Sequence, residues 1–411
     1  MGSARNVGRG FFPLDEELRL LSGRLTPSGQ EHLIRLSSWM PFEQAAKMME
    51  DMQGISISPA TSRRNSEVAG AAYVEMQTEE VKQLEKDMPE APECAEKMQM
   101  SADGAMVPLL HGQWAEVRTL VIGEVQPAVQ EKEEWVVHTR NLSYFSRKTS
   151  SEEFERLALV EIQRRGVENA KQVAAVMDGS DWLQGFTDHH RSDAVRILDF
   201  PHAGEHIGQV GEFLHGEGTT KAQEWLKGQL HRLKHDGPDA LLTELYQLQD
   251  QHPDAQAVSG NLAYLKKREP QIQYPRFQAD GWPIGSGIVE SGNKLVVEAR
   301  LKGSGMHWAG EHVNPMLALR NIECSGRWRE EWPKIEAQLR QNTHRRSAKL
   351  HLARKEPVPV GKSETPIRMM IPAQAAPAPK EPPKPKNPKD NPWRKFKFGR
   401  ALYQRDYPPK K

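Results

Sequence analysis

Residues 172–182, QVAAVMDGSDW, place a short apolar run in the middle of the chain with an acidic residue at its end. Gln172 to Met177, closed by the turn-forming pair Asp178-Gly179, is predicted to be a buried strand. Upstream, Ser151 to Arg165 repeats apolar residues at helical spacing through Phe154, Leu157, Val160 and Ile162. Downstream, Trp182 to His190 is expected to form a helix, Ala194 to Leu198 a second buried strand, and Ala203 to Leu214 another helix after a break at Pro201.

Toward the N-terminus the period changes from Met98 onward. Ala105-Met106-Val107-Pro108, Val117 to Val125 and Trp135 to Phe145 are rich in β-formers and are expected to be three successive antiparallel strands. The resulting order is β-β-β-α-β-α-β-α. The first three strands have no crossover helices, so a doubly wound parallel sheet is excluded. A mixed sheet with helices on both faces, the order of an RNase H-like α/β core, suits it.

Lys221 to Asp250 and Ser259 to Lys267 are predicted helices that such a core does not need, and so form a helical insertion. Beyond the turn at Ala279 to Pro283, Gly285-Ser286-Gly287 opens a helix expected from Ile288 through Arg300, with Glu290 in its first turn. Before the core, two short helices are expected between Phe11 and Leu36, the second capped by Thr26 or Ser28. A further helix over Pro41 to Met52, a turn at Gly54 and a helix start at Ser58-Pro59 make a helix-turn-helix pattern. In it Arg63 and Arg64 would lead the second helix toward a DNA groove, although a packed helical hairpin gives the same pattern.

These spans divide the chain into a helical N-terminal region (1–70) and a charged linker helix (71–97). The catalytic core would occupy 98–214 and 280–345 around the insertion 215–279, ahead of a Pro/Lys-rich basic tail (346–411) expected to be disordered. The chain is long enough, at 411 residues, for two or three such units. Its formal net charge of +1 hides the basic tail. Cys94 and Cys324 are isolated, which argues against a disulfide framework or a thiolate zinc site. The absence of any long apolar run or secretory leader leads to the expectation of a soluble, cytoplasmic protein with no membrane partner.

Asp103, at the expected start of the first strand, and Asp178, at the end of the fourth, would lie where open α/β sheets gather ligands. Hard carboxylate oxygens suit magnesium, and Glu290 would supply a third. Taken singly, each has a plain structural reading: Asp-Gly pairs form turns, and a Glu in a first helical turn complements the dipole. Asp199, His202 and His206 raise the alternative of zinc, but a supporting role beside the site is preferred, with Pro201 fixing a turn. Gly287 to Lys294 imitates a phosphate-binding loop, but Asn293 and Lys294 stand where Lys and Ser or Thr belong, so an ATPase is rejected.

Five segments together resemble bacterial insertion-sequence transposases of the ISKra group, relatives of Mutator-like DDE transposases. They are Gly8 to Asp15 (GRGFFPLD), Asp103-Gly104, Val176 to Trp182 (VMDGSDW), Asp199 to Ala203 (DFPHA) and Gly285 to Ser291 (GSGIVES), within a match over roughly residues 8 to 345. The resemblance implies Asp103, Asp178 and Glu290 as catalytic metal ligands for Mg2+ or Mn2+, two ions in all. It likens Asp199 and His202 to an element beside the active site, with Asp199 in reserve as second Asp. It implies cleavage of double-stranded DNA at transposon ends and strand transfer into target DNA by a homo-oligomer assembled on DNA. Similar proteins carry a Cys-containing segment before the Phe-Phe-Pro-Leu-Asp motif; Met1 to Val7 has none, so an N-terminal truncation is expected.

Lys294, Arg300, Lys302, His307 and Trp308 are further candidates for holding phosphates or stacking on a base, with a packed helix face as the alternative. The basic tail around Trp393 and Phe396 would add salt-sensitive DNA affinity. The competing functions are an RNase H-like nuclease or resolvase without strand transfer, and a DNA-binding protein whose catalytic centre has decayed.

Overall fold

The structure, a computed structural model, describes residues 25–87, 89–131 and 134–355. The expected helix before residue 25, the Gly8 to Asp15 motif and residues 356–411 of the basic tail lie outside the described residues, whereas residues 346–355, expected to begin a disordered tail, continue the last helix.

The strands are β1 (Lys97–Pro108), β2 (Trp114–Val125), β3 (Val129–Glu131), β4 (Glu134–Val136), β5 (Thr139–Arg147), β6 (Gln172–Met177) and β7 (Val195–Leu198). Five of them form one mixed sheet in the order β5-β2-β1-β6-β7, and β3 and β4 pair apart from it as a small hairpin. β1 pairs antiparallel with β2 and β2 with β5, whereas β1 with β6 and β6 with β7 are parallel. The parallel pairs need crossovers: α4 (Ser151–Arg164) leads from β5 to β6, and α5 (Asp181–Arg191) from β6 to β7.

Side chains alternate across a strand, so β1 has two distinct faces. Met98, Met100 and Ala102 join Phe145, Phe154 and Phe186 in a core that α4 and α5 cover. Ala105 and Val107 face the other way, onto the helix carrying Glu290 and onto α12 (Gly310–Cys324). On that second face, Ala174 and Val176 of β6 meet α6 (Phe200–His215), α7 (Thr220–His235), α8 (Asp239–Gln251), α9 (Gln256–Lys267) and α10 (Tyr274–Ala279). The result is a mixed α/β fold whose central sheet is flanked by helices.

The helix expected from Ile288 to Arg300 is present but irregular. α11 (Gly287–Gly292) runs into a wider π-helical turn (Asn293–Glu298) and closes with Ala299–Leu301. It can lie close on the sheet because position 292 has no side chain: a Cβ there would come 2.7 Å from Val121 Cγ2.

Before the sheet come α1 (Pro27–Trp39), α2 (Phe42–Gln53) and α3 (Pro59–Asp87), and after α12 comes α13 (Trp328–Lys355). Thr26 caps α1 by accepting from the Gly29 N–H at 3.1 Å. Three expectations are corrected. The second half of the helix-turn-helix and the linker helix are a single helix, α3, continuous through residues 70 and 71, whose Ala69, Ala72 and Tyr73 share a core with Ala318, Trp328 and Trp332. Lys221 to Asp250 is two helices, because Gly237 (φ 92) and Pro238 interrupt it. Pro201 starts α6 instead of delaying it, since a missing N–H costs nothing in the first turn. No helix among the described residues is long and apolar enough to cross a membrane.

Candidate active site

Asp103 is not at the start of β1, as expected, but in its middle, paired across the ladder with Thr119. The alternation that turns Met100 and Ala102 toward α4 and α5 puts Asp103 on the opposite face, in line with Gln99 and Ser101. The parallel register runs Lys97 to Gln172 and Met100 to Ala175. Continued three residues, it sets Asp103 level with Asp178. The β6–β7 register matches Met177 with Leu198, so the next step sets Asp178 level with Asp199. Asp103 within β1, and Asp178 and Asp199 at the first positions beyond β6 and β7, are therefore brought to the same end of the sheet.

Their surroundings differ. Asp103 accepts from the Gly104 N–H at 2.7 Å and, through its other oxygen, from Asn293 Nδ2 at 3.0 Å. Its carboxyl is pushed up to about 6, chiefly by burial and further by the negative charges of Asp178 and Glu290. Asp178 accepts from the Ser180 N–H at 2.8 Å, a turn held by its own side chain. Asp199 has both oxygens engaged, one by the Ser286 N–H at 2.6 Å and the other by the His202 N–H at 3.2 Å. It caps α6 and ties β7 to the loop before Glu290. Burial raises its carboxyl, with Glu290 adding to the rise.

Glu290 is exposed on α11, with Lys294 its ion-pair partner at 4.0 Å. One turn along the helix, Asn293 is buried and connects that helix to Asp103, while its Oδ1 has no hydrogen-bond partner. The π-helical turn begins at this residue; such turns within α-helices are frequent at functional sites. His202 is half-buried 3.4 Å from Glu205, and its ring meets His206 edge-on at 5.1 Å. Among the described residues no three His, Cys, Asp or Glu side chains stand close enough to hold a metal ion together.

The DNA-contact candidates divide. Arg63 and Arg64 project outward from α3, Arg63 lying 3.7 Å from Glu67, and Lys294 is exposed. Lys302 is half-buried and paired with Glu298 at 2.7 Å. Arg300 and Trp308 are a correction, because both are buried. Arg300 donates to the Ser37 carbonyl at 2.8 Å between the rings of Phe42 and Trp308, and Trp308 Nε1 donates to the Leu301 carbonyl. They fasten the end of the Glu290 helix to α1 and α2, and only their edges reach the floor of a cavity of about 390 Å³ that Arg63 and His307 also line.

Four residues at the site had not been singled out for it: Asn293, Ser286, Tyr264 and Arg268. Asn293 follows Glu290 by one helical turn, and that spacing was a usable signal. Tyr264 donates to the Asp178 carbonyl at 2.6 Å and Arg268 Nε to the Gly179 carbonyl at 2.8 Å. Both partners are more than 80 residues away, where no local pattern reaches. A polar cavity of about 750 Å³ lies elsewhere, lined by Tyr73, Glu80, Arg164 and Glu331 among others, and contains none of the candidate site residues.

Compared with protein-family models and with curated proteins, the chain matches none.

Proposed function

We propose that the chain is a DDE-type DNA transposase with an RNase H-like core, of the insertion-sequence kind its motifs resemble, cutting DNA at element ends and joining them to target DNA. What carries the reading is Asp103 within β1 and Asp178 just past the end of the neighbouring parallel strand β6, with Glu290 on the helix that packs against the same face of β1. The strand order β5-β2-β1-β6-β7, three antiparallel members followed by two parallel ones, supports the core type.

The donor set fits a hard divalent cation in kind: oxygen ligands only, with clustered negative charge whose mutual repulsion a cation relieves. Asp103, Asp178 and Glu290 would hold Mg2+ or Mn2+, which when bound supplies charge stabilisation for phosphodiester displacement. Asp199, with both oxygens committed to backbone N–H groups, positions the Ser286 loop instead of binding an ion. Asn293 holds Asp103 against the Glu290 helix. Lys294, and Arg63 and Arg64 on α3, provide exposed cations for the phosphates of double-stranded DNA. Action in the bacterial cytoplasm, by a homo-oligomer assembled on the DNA, belongs to the same proposal.

The test is excision and joining of a marked element bearing its native ends, with magnesium. Asp103→Asn, Asp178→Asn and Glu290→Gln are each expected to lower product formation by at least about a hundredfold while duplex binding persists. Full activity in any of the three overturns that residue's assignment. Cleavage without joined product points to a nuclease, and binding without cleavage by the wild type to a DNA-binding protein.

A further inference from the structure

The loop carrying Asp178 leaves the sheet where the β6–β7 pairing ends, at Met177 and Leu198, so the next carbonyls have no strand to accept from. Two side chains from beyond β7 fill that need. Tyr264, on α9, donates to the Asp178 carbonyl at 2.6 Å. Arg268, the residue that ends α9, is buried and donates to the Gly179 carbonyl through Nε at 2.8 Å and also through Nη2. The two donors brace one another, with the guanidinium 4.1 Å above the Tyr264 ring. The far side of that ring stacks on His206 at 3.8 Å, and His206 Nδ1 meets Asn261 Oδ1 at 2.6 Å, which anchors the column on α6 and α9. Gly179 completes the fit: its φ of 77° favours glycine, and a Cβ would come 2.6 Å from Arg268 Nε.

We propose that Tyr264 and Arg268 are positioning residues for the Asp178 carboxylate, so that the helical insertion after β7 is a working part of the active site and not an appended module. The inference rests on the reading of Asp178 as a metal ligand. A displacement of about 1 Å at such a ligand costs on the order of a hundredfold in rate, and Tyr264→Phe removes the donor while keeping the stacked ring. Arg268→Lys keeps the charge but loses the two-pronged grip on one carbonyl.

The experiment is a Mn2+ titration of the full chain, with the metal alone as probe and free ion followed by electron paramagnetic resonance. Thermal midpoint and hydrogen exchange over residues 178–182 are measured on the same samples. Tyr264→Phe and Arg268→Lys are expected to weaken Mn2+ binding about tenfold or more and to speed exchange across 178–182, with thermal midpoints within a few degrees of wild type. Asp178→Asn is expected to abolish that binding, and Tyr246→Phe, on the exposed side of α8, to change none of the three readouts. If Asp178→Asn removes the site but Tyr264→Phe and Arg268→Lys bind Mn2+ like wild type, the positioning role is overturned and the metal-ligand reading stands. If the wild type shows no Mn2+ site sensitive to Asp178→Asn, both are overturned.

Discussion

Asp178 and Asp199 each follow the last residue of neighbouring parallel strands, β6 and β7, and differ in their hydrogen bonds and burial. Asp199 caps α6 and accepts the Ser286 N–H, so Asp199→Ala orphans two backbone donors and is expected to cost about 1–2 kcal/mol in denaturant unfolding. Asp199→Asn retains an acceptor and should cost less, while keeping part of the joining activity that Asp178→Asn loses; the reverse pattern, with activity kept in Asp178→Asn and lost in Asp199→Asn, would make Asp199 the second ligand. A different residue controls acid stability. His190 packs edge-on against Phe186 with its Nε2 3.0 Å from the Glu155 carbonyl, and burial, with His189 beside it, pushes its pKa down to about 4. Because the folded value lies below the unfolded one, this contribution is complete above about pH 6.5 and is lost as pH falls toward 4, at most about 3 kcal/mol. Asp103, raised to about 6, acts in the opposite sense: its burden on the folded state at neutral pH is relieved as the carboxyl protonates. Urea melts of His190→Gln against wild type at pH 7 and pH 4.5 cancel the Asp103 effect and should show a flatter pH slope in the variant; parallel slopes would exclude His190.

The helix bearing Glu290 shows which features of an element a sequence discloses. Its start at Gly287 follows from Gly285-Ser286-Gly287, and the position of Glu290 in the first turn is as expected. The π-helical turn from Asn293 to Glu298 has no compositional marker, because it answers to contacts across the sheet. The strand of Asp178 was legible to the residue, since six apolar-rich positions followed by Asp-Gly leave little freedom. Asp103 was placed too near the strand start, because Lys97 to Ser101 mixes polar and apolar residues that alternate only once the sheet's two faces are known. The contact at Gly292 gives the prediction at this scale. A methyl group 2.7 Å from Val121 Cγ2 and 3.2 Å from Tyr144 has no flexible neighbour to displace, so Gly292→Ala must lift the helix. The expected cost is about 1–3 kcal/mol in stability together with a fall in DNA cleavage. Gly228→Ala, inside α7 with nothing within 4 Å, should be neutral or gain up to about 1 kcal/mol from helix propensity. Calorimetric midpoints of the two variants decide it, and a stable Gly292→Ala would mean the helix does not rest on Val121.

Across the whole described chain, the succession of strands and helices was largely legible from period, although Trp135, expected in the third strand, belongs to the separate β3–β4 hairpin, whereas the ties between distant helices were not legible. The clearest is Glu161 of α4, fully buried, which takes a two-pronged grip from Arg327, just before α13, at 2.8 and 2.7 Å. The partners are 166 residues apart, and neither carries a local pattern that points to the other. Arg164 extends the tie to Glu80 of α3 and approaches Glu331 of α13, so that α3, α4 and α13 are held through charge in the same region where Tyr73, Trp328 and Trp332 are held through apolar contact. Burial raises the Glu161 carboxyl, but Arg327 reverses this and holds it below the usual carboxylate range. The pair's contribution is therefore present above the unfolded value of about 4.3 and lost as pH falls below it. Removing one partner strands the other charge in the interior, so Glu161→Gln is expected to cost about 3–5 kcal/mol at pH 7. Replacing both, as Glu161→Leu with Arg327→Met, should cost less than the single change, because neither charge is then left unpaired. Urea unfolding of Glu161→Leu, Arg327→Met and the double variant measures the coupling directly; additive losses would show that the pair is not what joins α4 to the end of the core.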